Sequence, residues 1–147
     1  MIKEFQYYIN ENLVKKMTPN IEEAHSLMDK AFERLDYVKK QHVDKSTATF
    51  IFEDVYECLR EGAQSLMTLK GYKPYSHEAL VAFLKEFYNI SDYVLSKFNN
   101  YRILRNKCIY DASVISIPTF EEALRFAVSF LPELKKIFEK EVEEGVW

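Results

Sequence analysis

Between Tyr93 and Tyr110 the chain carries four basic residues, Lys97, Arg102, Arg105 and Lys107, and no acidic one. Phe98, Tyr101 and Tyr110 are interleaved with them. Guanidinium forks match phosphate oxygens and aromatic rings stack on bases, so these residue types suit a nucleotide or single-stranded RNA. Arg105 is the most informative of them. On a helix, Val94, Phe98, Tyr101, Cys108 and Ile109 fall within about 60° of one direction, and Arg105 lies in the middle of that stripe. An arginine cannot shed its charge. On an apolar face it either extends past the rim to water or is paired across the face. The purely structural way to pair this basic face is the acidic end of the chain, Glu139, Glu141, Glu143 and Glu144, of the same or another subunit.

Other chemistries lose their support by spacing. Glu22-Glu23-Ala24-His25 holds one Glu-x-x-His, a unit that a di-iron bundle needs twice, and neither His42 nor His77 has a glutamate three residues upstream. His25 therefore reads as a surface histidine. The chain has no His-Glu-x-x-His, no glycine-rich phosphate loop and no Gly-x-Ser-x-Gly elbow. Cys58 and Cys108 lack metal-ligand spacing and fall on apolar helix faces, which makes them reduced core thiols. No metal and no cofactor is expected.

The elements that must position these residues are helices. A chain of 147 residues is one domain, and with 48% hydrophobic and 29% charged residues it is globular. Only 3 Gly and 4 Pro leave few tight turns, which predicts an all-α fold: an antiparallel up-and-down bundle of four to six helices over residues 1–147, with room for the short N-terminal helix, 1–17, to pack outside it. A net charge of −3 argues against a broad grip on duplex DNA, so any anion site is local. No run approaches a membrane span and the N-terminus lacks an uninterrupted apolar stretch, which predicts a cytoplasmic protein with no membrane partner.

Thr18-Pro19 is a start signal for a helix to about Gln41, with Ile21, Ala24, Met28, Ala31, Leu35 and Val38 on its inner face. A third helix is predicted from Ser46, carrying Ile51, Val55, Cys58, Gly62, Leu66 and Leu69 and ending at Gly71. Gly62, central in that stripe, predicts a close helix crossing. Ser76 and Ser91 cap a fourth helix, with Leu80, Phe83, Leu84 and Phe87 inward, and a fifth from about Asp92 to Tyr110. Thr119-x-x-Glu122 reads as a capping box for a last helix through Leu124, Val128, Leu131, Leu134, Ile137 and Phe138, which Pro132 should kink or break.

Arg105-Asn106-Lys107-Cys108-Ile109-Tyr110 resembles the motif region of the HEPN domain, a helical-bundle family marked by an arginine, often followed by Asn, Asp or His, and a histidine after four to six residues. Asp54 to Arg60, running into Gly71-Tyr72-Lys73-Pro74 and His77, is also similar to stand-alone prokaryotic members. The resemblance spans about Pro19 to Phe138. It implies a homodimer whose motif helices face each other, metal-independent RNA cleavage in active members, and nucleotide association or scaffolding in others. A minimal nucleotidyltransferase partner, as in toxin–antitoxin pairs, is implied by the resemblance alone. Here Tyr110 stands where the histidine stands, and Ala112 occupies the position of a tyrosine modified in some members. Imidazole trades protons near neutral pH and a phenol does not.

Three readings follow. The first is a HEPN-type nucleotide- or RNA-binding module with Arg105 as phosphate anchor, Arg102, Asn106, Lys107 and Tyr110 around the ligand, and Asp111 orienting the arginines. The second is a metal-independent endoribonuclease in which Arg105 and Asn106 act with Tyr110 or His77. Along a straight helix Tyr110 points about 140° from Arg105, so those two converge only through a bend or a dimer mate. The third is a structural or interaction bundle in which Arg105 forms an ion pair and no ligand exists.

Overall fold

The computed structural model describes residues 1–145. Along the chain it places α1 (Phe5–Asn10), β1 (Val14–Lys16), α2 (Ile21–Lys39), α3 (Ala48–Lys70), β2 (Tyr72–Pro74), α4 (His77–Phe87), α5 (Asp92–Tyr110) and α6 (Ile117–Glu144). Helices packed together make a helical bundle, as the composition predicts. None of the described helices is long and apolar enough to cross a membrane.

Helix α3 is the centre of the bundle. Its predicted stripe is buried, but so are Phe52, Tyr56, Leu59, Ala63 and Met67 on its other sides. Helix α2 runs antiparallel to it: Ser65 donates to the Ala24 carbonyl, and Arg34 reaches Asp54 and Glu61. Helix α6 runs alongside α3 in the same direction, so that Gly62 faces Leu131 and Leu134 while Lys70 pairs with Glu141 at 3.0 Å. A Cβ on Gly62 would lie 2.6 Å from Leu131 Cδ1, which explains the glycine in mid-helix.

The caps show where local patterns mislead. Asn20, not Thr18, caps α2 by accepting from the Glu23 amide. Ser116, not Thr119, caps α6 by accepting from the Thr119 amide, and Pro118 follows inside the first turn. Ser91 caps α5 as expected; Ser76 precedes α4 without a side-chain cap. Helix α6 continues through Pro132 without a break. In its first half the buried residues are Phe120, Ala123, Ala127 and Phe130, whereas Leu124 is only partly buried and Val128 is exposed. Phe87 lies at the rim of the core, although its ring touches Phe5 and Phe83.

The N-terminal segment is not outside the bundle. Phe5 and Tyr8 of the short α1 are buried in the common core, Phe5 edge-on to Tyr72 and Phe83, and the Tyr8 hydroxyl donates to Glu78 at 2.7 Å. Residues 14–16 form an antiparallel ladder with residues 72–74, pairing Val14 with Pro74 and Lys16 with Tyr72. That ladder fixes the chain just ahead of His77, the first residue of α4.

Candidate functional site

The site forms where α3, the start of α4 and the second half of α5 meet. Leu95, Phe98, Tyr101 and Cys108 bury the inner face of α5, and Phe98 and Tyr101 pack on Tyr56 and Phe52 of α3. With that face docked, Arg105 lies half-buried at the edge of the α3 contact. Its side chain is 19% exposed, and its guanidinium carbon lies 5.7 Å from the centre of the Tyr56 ring. Cation and ring are close enough to attract, and the attraction holds Arg105 over the phenol.

Across the same junction lies the Glu57 carboxylate. Arg60 donates to Glu57 Oε2 at 2.9 Å, and Arg60 also bonds Gln64 one turn on. Arg105 Nη2 stands 3.7 Å from Glu57 Oε1, an ion pair without a hydrogen bond, and that buried oxygen has no other partner. Within the protein Arg105 donates to the Asn106 side chain at 3.4 Å. Arg102 donates through Nε to Asn99 at 2.8 Å, which leaves its two terminal nitrogens unengaged among the described residues. Two guanidiniums, Arg60 and Arg105, thus face the Glu57 carboxylate, and Arg102 and Arg105 retain donors among the described residues.

His77 completes the group. Its Nδ1 is 3.2 Å from the Tyr56 hydroxyl and the two rings lie face to face at 5.8 Å. Burial drives the Tyr56 phenol well above its ordinary range, so it keeps its proton. That proton has no other acceptor among the described residues, hence Tyr56 donates and Nδ1 accepts, leaving the histidine's proton on Nε2. Burial first, then the positive charges of Arg105 and Arg60, hold His77 below its ordinary 6.5. The folded protein therefore binds fewer protons here than the unfolded chain. The corresponding stability is complete above about pH 6.5 and is lost as the pH falls through that value toward the folded-state pKa. His77→Gln should flatten this part of the pH dependence of thermal unfolding between about pH 5 and 8; identical slopes in both proteins would reject the assignment.

The sequence-predicted residues divide accordingly. Arg102, Arg105, Asn106 and His77 come together. Lys107 is exposed. Tyr110, the last residue of α5, is 78% exposed, and Asp111 beyond it is exposed and bonds none of the arginines among the described residues. The carboxylate that Arg105 faces is Glu57, on α3 across the helix junction. The acidic end of α6 does not meet this face either: Glu141 is engaged by Lys70 and Tyr88, and the cation of α5 that reaches α6 is Lys97, 3.6 Å from Glu122.

Sequence reasoning missed Tyr56, Glu57 and Arg60 as site residues. Their signal was the half-buried polar run Glu53, Glu57, Arg60, Gln64, spaced by three or four on an otherwise apolar helix. Both cysteines are buried and free, and burial raises both thiols, Cys58 to about 12. They are poor nucleophiles in this state. The chemistry on offer is anion capture beside a neutral histidine. No family model, curated protein or solved structure matches the chain significantly.

Proposed function

We propose that the protein is a nucleotide- or single-stranded-RNA-binding module of the HEPN type, with Arg105 as its phosphate anchor and Arg102 beside it. The observation that carries this reading is the state of the arginines at the α3–α4–α5 junction: Arg60, Arg102 and Arg105 gather around Tyr56 and His77, and of the three only Arg60 is hydrogen-bonded to a carboxylate among the described residues. Arg60 is already committed to Glu57 and Gln64, so Arg102 and Arg105 are the ones with forks to offer.

Arg105→Ala should weaken binding of a short single-stranded RNA by about tenfold or more while leaving the bundle folded, measured by fluorescence anisotropy beside circular dichroism. Equal binding by the mutant overturns the reading. Loss of folding in the mutant would instead favour an ion pair held for structure.

Metal-independent RNA cleavage is the second reading, and one observation favours it: His77, rather than Tyr110, shares the junction with Arg105 and presents Nε2 with its proton. In that neutral form it donates a hydrogen bond to a phosphate oxygen, and proton transfer needs the imidazolium, so cleavage should rise as the pH falls below about 6.5. Cleavage of end-labelled RNA in the presence of chelator, lost in both Arg105→Ala and His77→Ala, is the expected signature; no cleavage by the native protein leaves binding alone.

A further inference from the structure

We infer that the groove between α5 and α6 binds a small zwitterion with an aromatic body, of which a free aromatic amino acid is the simplest. The groove lies on the α6 side of α5, away from His77, and the inference does not depend on the proposed phosphate site.

Shape is the first argument. Phe98 and Tyr101 of α5 pack on Phe130 and Phe126 of α6, and the Tyr101 hydroxyl donates to Glu122. Beside these contacts a cavity of about 310 Å³ opens, with Tyr93 and Val94 on the α5 side and Phe126 and Phe130 on the α6 side. Ligand pockets run from roughly 300 to 1,000 Å³, so this one suits a molecule of amino-acid size. The Phe126 and Phe130 rings lie 5.2 Å apart; Phe130 is buried, and Phe126 is only partly so. Lys97 holds its ammonium 5.5 Å from the centre of the Tyr93 ring and 6.0 Å from that of Phe126, so one cation positions an aromatic side chain of each helix. An aromatic body entering the groove has a ring on either side to pack against.

Charge selects the head group. Four charged side chains line the cavity, Lys97, Arg125, Glu122 and Glu133, and they sum to zero. Lys97 and Glu122 stand 3.6 Å apart and answer each other. Arg125 and Glu133 make no hydrogen bond or ion pair among the described residues, and neither does the Ser129 hydroxyl. These three follow at i, i+4 and i+8 on α6, a single row with a rise of about 12 Å. Cation, hydroxyl and anion thus succeed one another along one wall of the cavity. A ligand of a single charge meets a like charge at one end of that row. A zwitterion can set its carboxylate on Arg125 and its ammonium on Glu133, with the Ser129 hydroxyl between them to donate to the one or accept from the other.

The test is calorimetric titration of the full chain with L-phenylalanine, L-tyrosine and L-tryptophan at about pH 6, where α-amino groups are protonated. The tightest of them is then compared with its carboxamide, its N-acetyl derivative and L-alanine. Loss of the carboxylate, of the ammonium or of the ring should each weaken binding about tenfold or more. Arg125→Gln should abolish the preference for the amino acid over its carboxamide, and Glu133→Gln the preference over its N-acetyl derivative. Both side chains are exposed, so the melting temperatures without ligand should not change. No saturable binding of the three aromatic amino acids overturns the inference. So does a carboxamide or N-acetyl derivative that binds as tightly as its parent. Undiminished binding in either variant places the ligand elsewhere on the protein and overturns the assignment of this groove.

Discussion

Arg34→Ala is expected to destabilise the bundle by about 3 kcal/mol, the lower end of the range for leaving one member of a buried ion pair without its partner. Glu61 of α3 is 1% exposed, and Arg34 of α2 holds both of its oxygens, with Nε 2.9 Å from Oε1 and Nη2 3.3 Å from Oε2, while Nη1 reaches Asp54 at 3.1 Å. Removing the arginine strands a carboxylate that cannot turn to water. Lys30, 3.6 Å from Oε2 and largely exposed itself, supplies partial compensation, which sets the estimate at the lower end. The converse change, Glu61→Leu, should cost less, because Arg34 keeps Asp54 and is exposed enough to be hydrated. The double variant Arg34→Met with Glu61→Leu should recover most of the loss by replacing charge with packed apolar surface. Urea midpoints at unchanged slope read all three. An arginine variant as stable as the native protein, or a double variant worse than Arg34→Ala, would show that this pair does not hold α2 to α3.

The contrast between that pair and Arg105 explains how much of the molecule could be read from its sequence. Helix number and most helix bounds were readable because the apolar positions recur at three and four and because Gly71 and Ser91 end and begin helices by local chemistry. The three-residue strands were not. Their pairing joins residues 14–16 to 72–74, and nothing within either segment requires it. The inner face of α6 was misplaced in its first half because the small Ala123 and Ala127 are buried there, while Leu124 is only partly buried and Val128 is exposed. Arg105 stood out because it interrupts an apolar stripe. Its neighbours Glu57 and Tyr56 did not, since they lie on another helix and on a segment that reads as core. Sequence spacing finds groups on one helix face; the junction is made by three elements, and which faces meet is decided by packing. Arg34 and Glu61 were missed for the same reason.

Gly71→Ala carries the other large expected effect, about 2–4 kcal/mol, as the combined cost of a left-handed backbone for a residue with a Cβ and of a backbone collision. Gly71 caps α3 at φ 86°, and a Cβ there would run into the Met17 carbonyl oxygen and crowd the Pro19 ring. The chain cannot simply retreat. The Met17 amide donates to the Gly71 carbonyl at 2.8 Å and the Asn20 amide to Thr68, so the entry to α2, the end of α3 and the two strands are tied at this point. Gly62→Ala is the informative contrast. The obstacle there is a leucine methyl that can rotate, and alanine gains about 1 kcal/mol of helix propensity, so its net cost should be much smaller. Because β2 leads directly to His77, the Gly71 variant should also loosen the Tyr56–His77 contact and weaken ligand binding beyond what global unfolding explains. Thermal melts combined with binding measured well below the transition separate the two. Similar stabilities for the two glycine variants would show that the left-handed cap is not what holds this corner of the fold.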